Sequence, residues 1–187
     1  ETTAHGRFFV KRMRENTTSA NDILSYLREL ESAEGFKPDF VVVDYLDLMQ
    51  SVARHSGDNM FTKDKLVAEE VRAIGFDLDA IMISASQLGR GAITATRDGE
   101  AIGQDHIQGG ISKINTADLV IAIVRDEAMQ AANECRFDFL KARNSSAAGK
   151  RVMLKSDPIT YHITDYGKSL TINTKTPQLK GVNHKKN

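Results

Sequence analysis

Along the 187 residues of this chain, stretches with apolar residues three and four apart alternate with short unbroken apolar runs. The first spacing marks a helix with one buried face, and the second marks a strand covered on both faces. Ile23, Leu24, Leu27 and Leu30 set a first helix behind Ser19-Ala20-Asn21-Asp22, a capping box with Asp in the usual place of Glu. Gly35 and Pro38 stop it. Val41–Asp44 follows as a buried strand. A polar loop spans 50–62, and Leu66, Val67, Val71, Ile74 and Leu78 then mark a second amphipathic helix. Ala80–Ser84 and Leu119–Val124 are two further apolar strands, and Glu127–Asn133 reads as a short helix. Near the N-terminus, Arg7-Phe8-Phe9-Val10-Lys11 reads as another strand.

Two segments depart from this alternation. From Gln87 to Gly110 the chain is polar and glycine-rich, with too little apolar content for a core element, and it reads as a mobile loop. From Arg136 onward the period becomes two, which predicts hairpins over Arg136–Arg143, Lys150–Lys155 and Thr160–Thr164. Strands alternating with helices predict an α/β fold with a mostly parallel sheet, to which an antiparallel hairpin adds a C-terminal edge. Residues 1–172 read as one domain, and 173–187 as a basic, disordered tail.

Composition adds little except at two points. Apolar residues make up 41% and charged residues 27%, which is ordinary for a globular domain, and the formal net charge is zero. The charge is uneven, however. Between Arg136 and Lys155 six basic residues face one acid, Asp138. The lone Cys135 excludes an internal disulfide and a multi-cysteine zinc site, and it suits a reducing, cytoplasmic setting. His5, His55, His106, His162 and His184 lack ligand spacing. No apolar run approaches membrane-spanning length, so no membrane role is expected. The chain begins at Glu1 rather than Met, which reads as a fragment.

In open α/β sheets, ligands bind at the carboxyl ends of strands. Three such ends carry polar chemistry here: Asp44, then Ser84-Ala85-Ser86-Gln87-Leu88-Gly89-Arg90, then Arg125-Asp126-Glu127. An acid that orients a Mg²⁺ water shell, beside an amide that senses phosphate, is what an ATPase needs. The usual phosphate cradle, G-x-x-x-x-G-K-S/T, does not occur in the chain.

Taken together, the motifs resemble those of the DnaB-type replicative helicases. Val43-Asp44-Tyr45-Leu46-Asp47-Leu48-Met49 is similar to that family's Walker B motif, and Ser86-Gln87-Leu88-Gly89-Arg90 to its S-Q-L-x-R motif. Ala117-Asp118-Leu119-Val120 with Arg125-Asp126-Glu127 resembles its A-D…R-D-E strand. Leu140-Lys141-Ala142-Arg143-Asn144, followed by Gly149, resembles its K-x-R-N hairpin. The segments between motifs depart from the bacterial pattern, which favours the phage branch.

The resemblance implies a RecA-like P-loop NTPase core lacking its P-loop segment, as the C-terminal part of an ATP-dependent DNA helicase. It implies a homo-hexameric ring with ATP between subunits, single-stranded DNA in the channel, a possible primase partner, and the cytoplasm of a bacterial host as the setting. Asp44 is then the Mg²⁺ residue and Gln87 the γ-phosphate sensor. Arg143 is the arginine finger acting on a neighbour's ATP, with Lys141 beside it. Gln108-Gly109-Gly110 matches the DNA-contacting loop, and Arg90 is a further DNA candidate. The match at Gln108-Gly109 is loose, because the bacterial pattern carries Arg-Glu there. Tyr45 stands where many related ATPases have a catalytic Glu. Asp47 is a substitute only if it does not simply face solvent or cap a turn.

Plainer readings stand beside these. Asp44 could be a strand-end acid capping a loop, and Gln87 an ordinary loop residue. Lys141 and Arg143 could form a solvated hairpin face that deters aggregation. Arg90 could solvate a loop, and Cys135 is read as a packed thiol. At the level of function, a RecA-like recombinase or clock-type ATPase shares the fold. A non-catalytic DNA-binding or assembly module without a nucleotide site is a third reading.

Overall fold

The computed structural model describes residues 6–53, 60–97, 102–103, 106–107, 111–166 and 171–172. The predicted tail, 173–187, lies outside the described residues. The chain divides into two compact units, Glu1–Leu88 with Ile107–Ala117 and Gly89–His106 with Asp118–Asn187, and each is described by itself.

In the first unit, helix α1 (Ala20–Glu34) starts where the capping box places it. Asp22 Oδ2 accepts both the backbone N–H and the hydroxyl of Ser19, at 2.8 and 2.6 Å. These bonds hold the Asp22 carboxyl below its usual range. Gly35 ends the helix in the left-handed conformation that glycine adopts without steric cost, at φ +59°. Strand β1 (Phe40–Val43) runs parallel to β2 (Ile81–Ser84) in the register Val41↔Met82 and Val43↔Ser84. Between them come a 3₁₀ turn (Leu46–Leu48) and helix α2 (Met60–Leu78).

Ile23 and Leu27 of α1, Val67, Val71, Ile74 and Leu78 of α2, and Met49 form one core, and Val41, Val43 and Met82 pack against it. Gly75 allows α2 to approach β2, since a Cβ there would lie 2.8 Å from Met82 Cγ.

The strands are not covered on both faces as their composition predicted. Period-two alternation turns Val41 and Met82 towards the helices, while Phe40 (61%), Val42 (66%), Ile81 (56%) and Ile83 (45%) are exposed. The predicted N-terminal strand also differs. Among the described residues, 7–11 pair with no strand, and Phe8 and Val10 are exposed. Arg7 instead caps the end of α1, donating to the Glu34 and Gly35 carbonyls at 3.0 and 3.1 Å, and it stacks over Phe36.

In the second unit, helix α3 (Arg90–Arg97) occupies part of the segment read as a mobile loop. Ala92, Ala95 and Ile102 are buried there. Small alanines let this element pack closely without the large apolar residues that a periodicity search weights. After helix α4 of the first unit (Ile111–Thr116), strand β3 (Leu119–Val124) and the short helix α5 (Glu127–Ala131) lead into β4 (Glu134–Ala142).

β3 pairs antiparallel with β4, so among the described residues the parallel pairing comprises β1 and β2. The connection from β3 to β4 is shorter than the dozen residues a parallel crossover requires. Strands β5 (Arg151–Ser156) and β6 (Ile163–Thr164) complete the predicted hairpins, and β7 (Thr171–Ile172), which was not predicted, pairs with β5. Cys135 is a packed thiol, and burial raises its pKa. Among the described residues, no helix is long and apolar enough to cross a membrane.

Candidate functional site

Parallel pairing of β1 and β2 brings the two predicted strand-end motifs together. Asp44 is the first residue past β1 and is exposed. The Asp44–Tyr45 peptide is cis. Ser84, the last residue of β2, donates its hydroxyl to the Val43 carbonyl at 2.7 Å, tying the two strand ends together. Gln87 Nε2 donates to the Tyr45 hydroxyl at 3.0 Å, so the amide is anchored on the residue that follows Asp44. The loop beyond the 3₁₀ turn is pinned as well. Glu70 of α2 accepts the Ser51 hydroxyl at 2.7 Å and the backbone N–H groups of Val52 and Ala53 at 3.0 and 3.1 Å.

Asp47 is neither in open solvent nor a turn cap. It accepts from Lys113 Nζ of α4 and from the Ser86 hydroxyl at 3.3 Å. Lys113 also pairs with Asp64 of α2 at 3.0 Å and lies 3.4 Å from Ser86 Oγ. With its lone pairs engaged by an ammonium group, Asp47 is a poor substitute for a catalytic base. Sequence reasoning missed Lys113 and Asp64. One signal was available for Asp64: with Val67, Val71, Ile74 and Leu78 it forms a stripe spaced three and four apart, so an acid sits on the buried face of α2.

In the second unit, β4 ends at Ala142, and Arg143 is the next residue. A register shift between Val120/Ile121 makes Leu140 the extra residue of a β-bulge, because Val120 pairs with Lys141 and Ile121 with Phe139. The strict alternation read from sequence therefore stops just before the K-x-R pair, and a bulge re-aims the side chains that follow it. Arg143 Nη1 reaches Asp118 Oδ1 at 2.6 Å, with both side chains about half exposed. Lys141 is half-buried.

The uneven basic charge is partly internal. Arg136 makes two hydrogen bonds to Asp138, at 2.7 and 2.9 Å, and Arg151 lies 3.7 Å from the same carboxylate. The Arg125-Asp126-Glu127 strand end also has a structural use, because Asp126 caps α5 through the Met129 N–H at 2.8 Å. Arg90 is exposed at the first position of α3. Gln108, Gly109 and Gly110 lie outside the described residues.

Among the described residues, no group of three His, Cys, Asp or Glu side chains could hold a metal. Mg²⁺ bound with a nucleotide needs no such cage, since one or two carboxylates plus phosphate oxygens and water suffice. An exposed Asp44 at a strand end, with the Ser84 hydroxyl bonded to Val43 and the Gln87 amide bonded to Tyr45, has the hard oxygen chemistry for that arrangement.

Comparison with known proteins shows the family and the fold. The DnaB-like replicative helicase of Enterobacteria phage T4 is 30% identical over 139 residues, which cover 74% of this chain and 28% of that protein. A solved ATPase domain superposes with a TM-score of 0.66 at 18% identity, over 80% of this chain and 52% of its own. A DnaB-like replicative helicase, solved in a study of its interactions with primase, gives 0.64 at 18% identity over 80% of this chain and 35% of its own. At that identity the structural likeness carries the fold alone, which is the RecA-like ATPase fold expected from the motifs. The family model of the DnaB-like helicase C-terminal domain matches residues 4–161, and the chain belongs to that family.

Proposed function

We propose that the full-length protein is the motor of a replicative DNA helicase, which couples ATP hydrolysis to movement along single-stranded DNA and to duplex unwinding. The observation that carries this reading is the placement of Asp44 and Gln87 on adjoining parallel strand ends, with Gln87 anchored to Tyr45. A carboxylate and a neutral amide at such a crevice suit a Mg²⁺–nucleotide pair. When bound there with ATP, Mg²⁺ supplies charge neutralisation at the phosphates.

In this reading Asp44 holds the ion through water, and Gln87 reports on the γ-phosphate and orients water. Arg143 and Lys141 act on the nucleotide of a neighbouring subunit in a homo-hexameric ring. Guanidinium suits that task because it is always charged and forks onto phosphate oxygens. Gln108, Gly109 and Gly110 contact the DNA backbone, where small residues permit close approach, and Arg90 adds charge. The site of action is the cytoplasm of a bacterial host, and a primase is a partner by analogy with the helicase relative.

The purified 187-residue chain should show no meaningful ATP turnover, because it carries no G-x-x-x-x-G-K-S/T cradle. Robust Mg²⁺-dependent turnover by the chain alone, abolished by Asp44→Ala, would contradict this. The function itself is tested by giving the full-length protein a forked DNA duplex. ATP-dependent strand separation is expected, and ATP hydrolysis without separation would point away from a helicase.

A further inference from the structure

Lys113 of α4 takes no part in the reaction as set out above, yet it is embedded beside both strand ends. Its side chain is 6% exposed, and it holds two acids from different elements. Asp47 lies in the 3₁₀ turn after β1, and Asp64, on α2, is 3.0 Å from the ammonium group. All three belong to the first unit, as do Tyr45, Ser86 and Gln87. A buried charge is costly unless it is balanced, and removing one partner leaves the other uncompensated.

The turn after β1 is braced against the end of β2 at three points. At the root, the Ser84 hydroxyl donates to the Val43 carbonyl at 2.7 Å. Further out, Gln87 Nε2 donates to the Tyr45 hydroxyl at 3.0 Å. At the third point, Asp47 accepts the Ser86 hydroxyl at 3.3 Å and lies 3.5 Å from the backbone nitrogen of Gln87. The first two braces join neutral groups. The third hangs on a carboxylate only 19% exposed, which stays in place while a cation balances it. Lys113 provides that balance and is itself 3.4 Å from the Ser86 hydroxyl. Lys63 also reaches this turn, but at the Asp47 carbonyl, at 3.4 Å, rather than at the carboxylate.

We propose that Lys113 is a positioning residue for ATP hydrolysis: by balancing Asp47 it fixes the turn after β1 against Ser86-Gln87, and so sets where the Gln87 amide stands relative to Asp44. This rests on the proposed function, which places Mg²⁺ at Asp44 and the γ-phosphate at Gln87. A reacting group misplaced by about 1 Å costs on the order of 10²-fold in rate. The two acids have separable duties. Both balance Lys113, but among the described residues Asp47 is the one that reaches Ser86 and Gln87. Removing either acid leaves Lys113 in a one-to-one pair with the other. The two removals therefore carry similar electrostatic costs and differ in what they release.

The test uses the full-length protein and measures kcat and KM for Mg²⁺-dependent ATP turnover, together with a urea melt. Asp47→Ala and Asp64→Ala form the matched comparison, and Lys113→Met removes the ammonium group. Asp47→Ala is expected to lower kcat by about 10- to 100-fold, with KM for ATP within about 3-fold of the parent. Asp64→Ala should keep kcat within about 3-fold of the parent, although its urea midpoint falls as well. Lys113→Met should follow Asp47→Ala in kcat, and the matched pair stays decisive if Lys113→Met does not fold. Parent-like kcat in Asp47→Ala would overturn the role of Lys113. Equal kcat losses in the two acid variants would overturn it too, since they would mark a cluster that only holds the fold together. A rise in KM with kcat unchanged would also count against it. A parent without ATP turnover would overturn the proposed function, and the role of Lys113 with it.

Discussion

Arg143 Nη1 donates to Asp118 Oδ1 at 2.6 Å, and the backbone N–H of Arg143 donates to the Asp118 carbonyl at 2.8 Å. The residue before β3 thus grips the residue after β4 by both main chain and side chain. A guanidinium held by one carboxylate has its direction set, and direction decides whether a finger reaches a neighbour's phosphate. Asp118→Asn in the full-length protein should lower kcat by about 10- to 100-fold, the effect of a misplaced rather than a missing group. Arg143→Lys should not restore the parent rate, because an ammonium group lacks the planar fork. Steady-state ATP hydrolysis checks both. A parent-like rate in Asp118→Asn would show that the contact does not position Arg143.

The Gln87–Tyr45 hydrogen bond separates two roles that sequence alone merges. If the amide acts on phosphate and Tyr45 only steadies it, Gln87→Ala should cost about 10²-fold in kcat, as for loss of one aligned donor. Tyr45→Phe keeps the amide and should cost only a few-fold. Equal losses in the two variants would mean that the pair acts as a unit, and equal retention would remove Gln87 from the reaction.

Asp138 is 3% exposed and balances Arg136 and Arg151. Asp138→Ala leaves two guanidinium groups near the core without their acid and should destabilise the fold by about 3–5 kcal/mol. The shift of the urea midpoint gives the number. A loss below about 1 kcal/mol would show that solvent reaches the pair readily.

The Ser19–Asp22 box predicts a pH dependence. The folded carboxyl titrates below its unfolded value of 3.8, so its contribution is present above that value and fades as pH falls through the folded pKa. Hydrogen exchange across Ala20–Glu34 should therefore be slower in the parent than in Asp22→Ala at neutral pH. The difference should close once the carboxyl is protonated. For Ser19→Ala the cost to α1 should be about 1 kcal/mol. A difference between parent and Asp22→Ala that persists unchanged into strong acid would mean that the hydrogen bonds do not depend on the carboxylate.

Much of the fold could be read from local signals, because those signals are local in origin. The Ser19–Asp22 cap, the Gly35 stop, the α2 stripe and the period-two hairpins each depend on residues a few positions apart. What escaped depends on partners far along the chain. One-sided exposure of Phe40, Val42, Ile81 and Ile83 is set by where α1 and α2 pack, which composition cannot reveal. The antiparallel place of β3 is set by its ladder with β4, since an apolar run does not state its direction.

The site divides in the same way. The placement of Asp44 and Gln87 just past adjoining strands was legible, because an apolar run that stops at a polar residue marks a strand end. Lys113 was not, because nothing near it in sequence announces two acids at positions 47 and 64. Asp47 was misjudged for the same reason. Its place just past a strand end suggested solvent or a turn cap, while the lysine that occupies it lies 66 residues away.

The account rests most heavily on Asp44 and Arg143 serving one reaction from separate motifs. Mg²⁺-dependent ATP turnover by the full-length protein, measured beside ATP affinity for the parent, Asp44→Ala and Arg143→Ala, tests this directly. Turnover should fall by about 10³-fold or more in both variants, while Arg143→Ala binds ATP within a few-fold of the parent. Parent-like turnover in either variant would contradict the account.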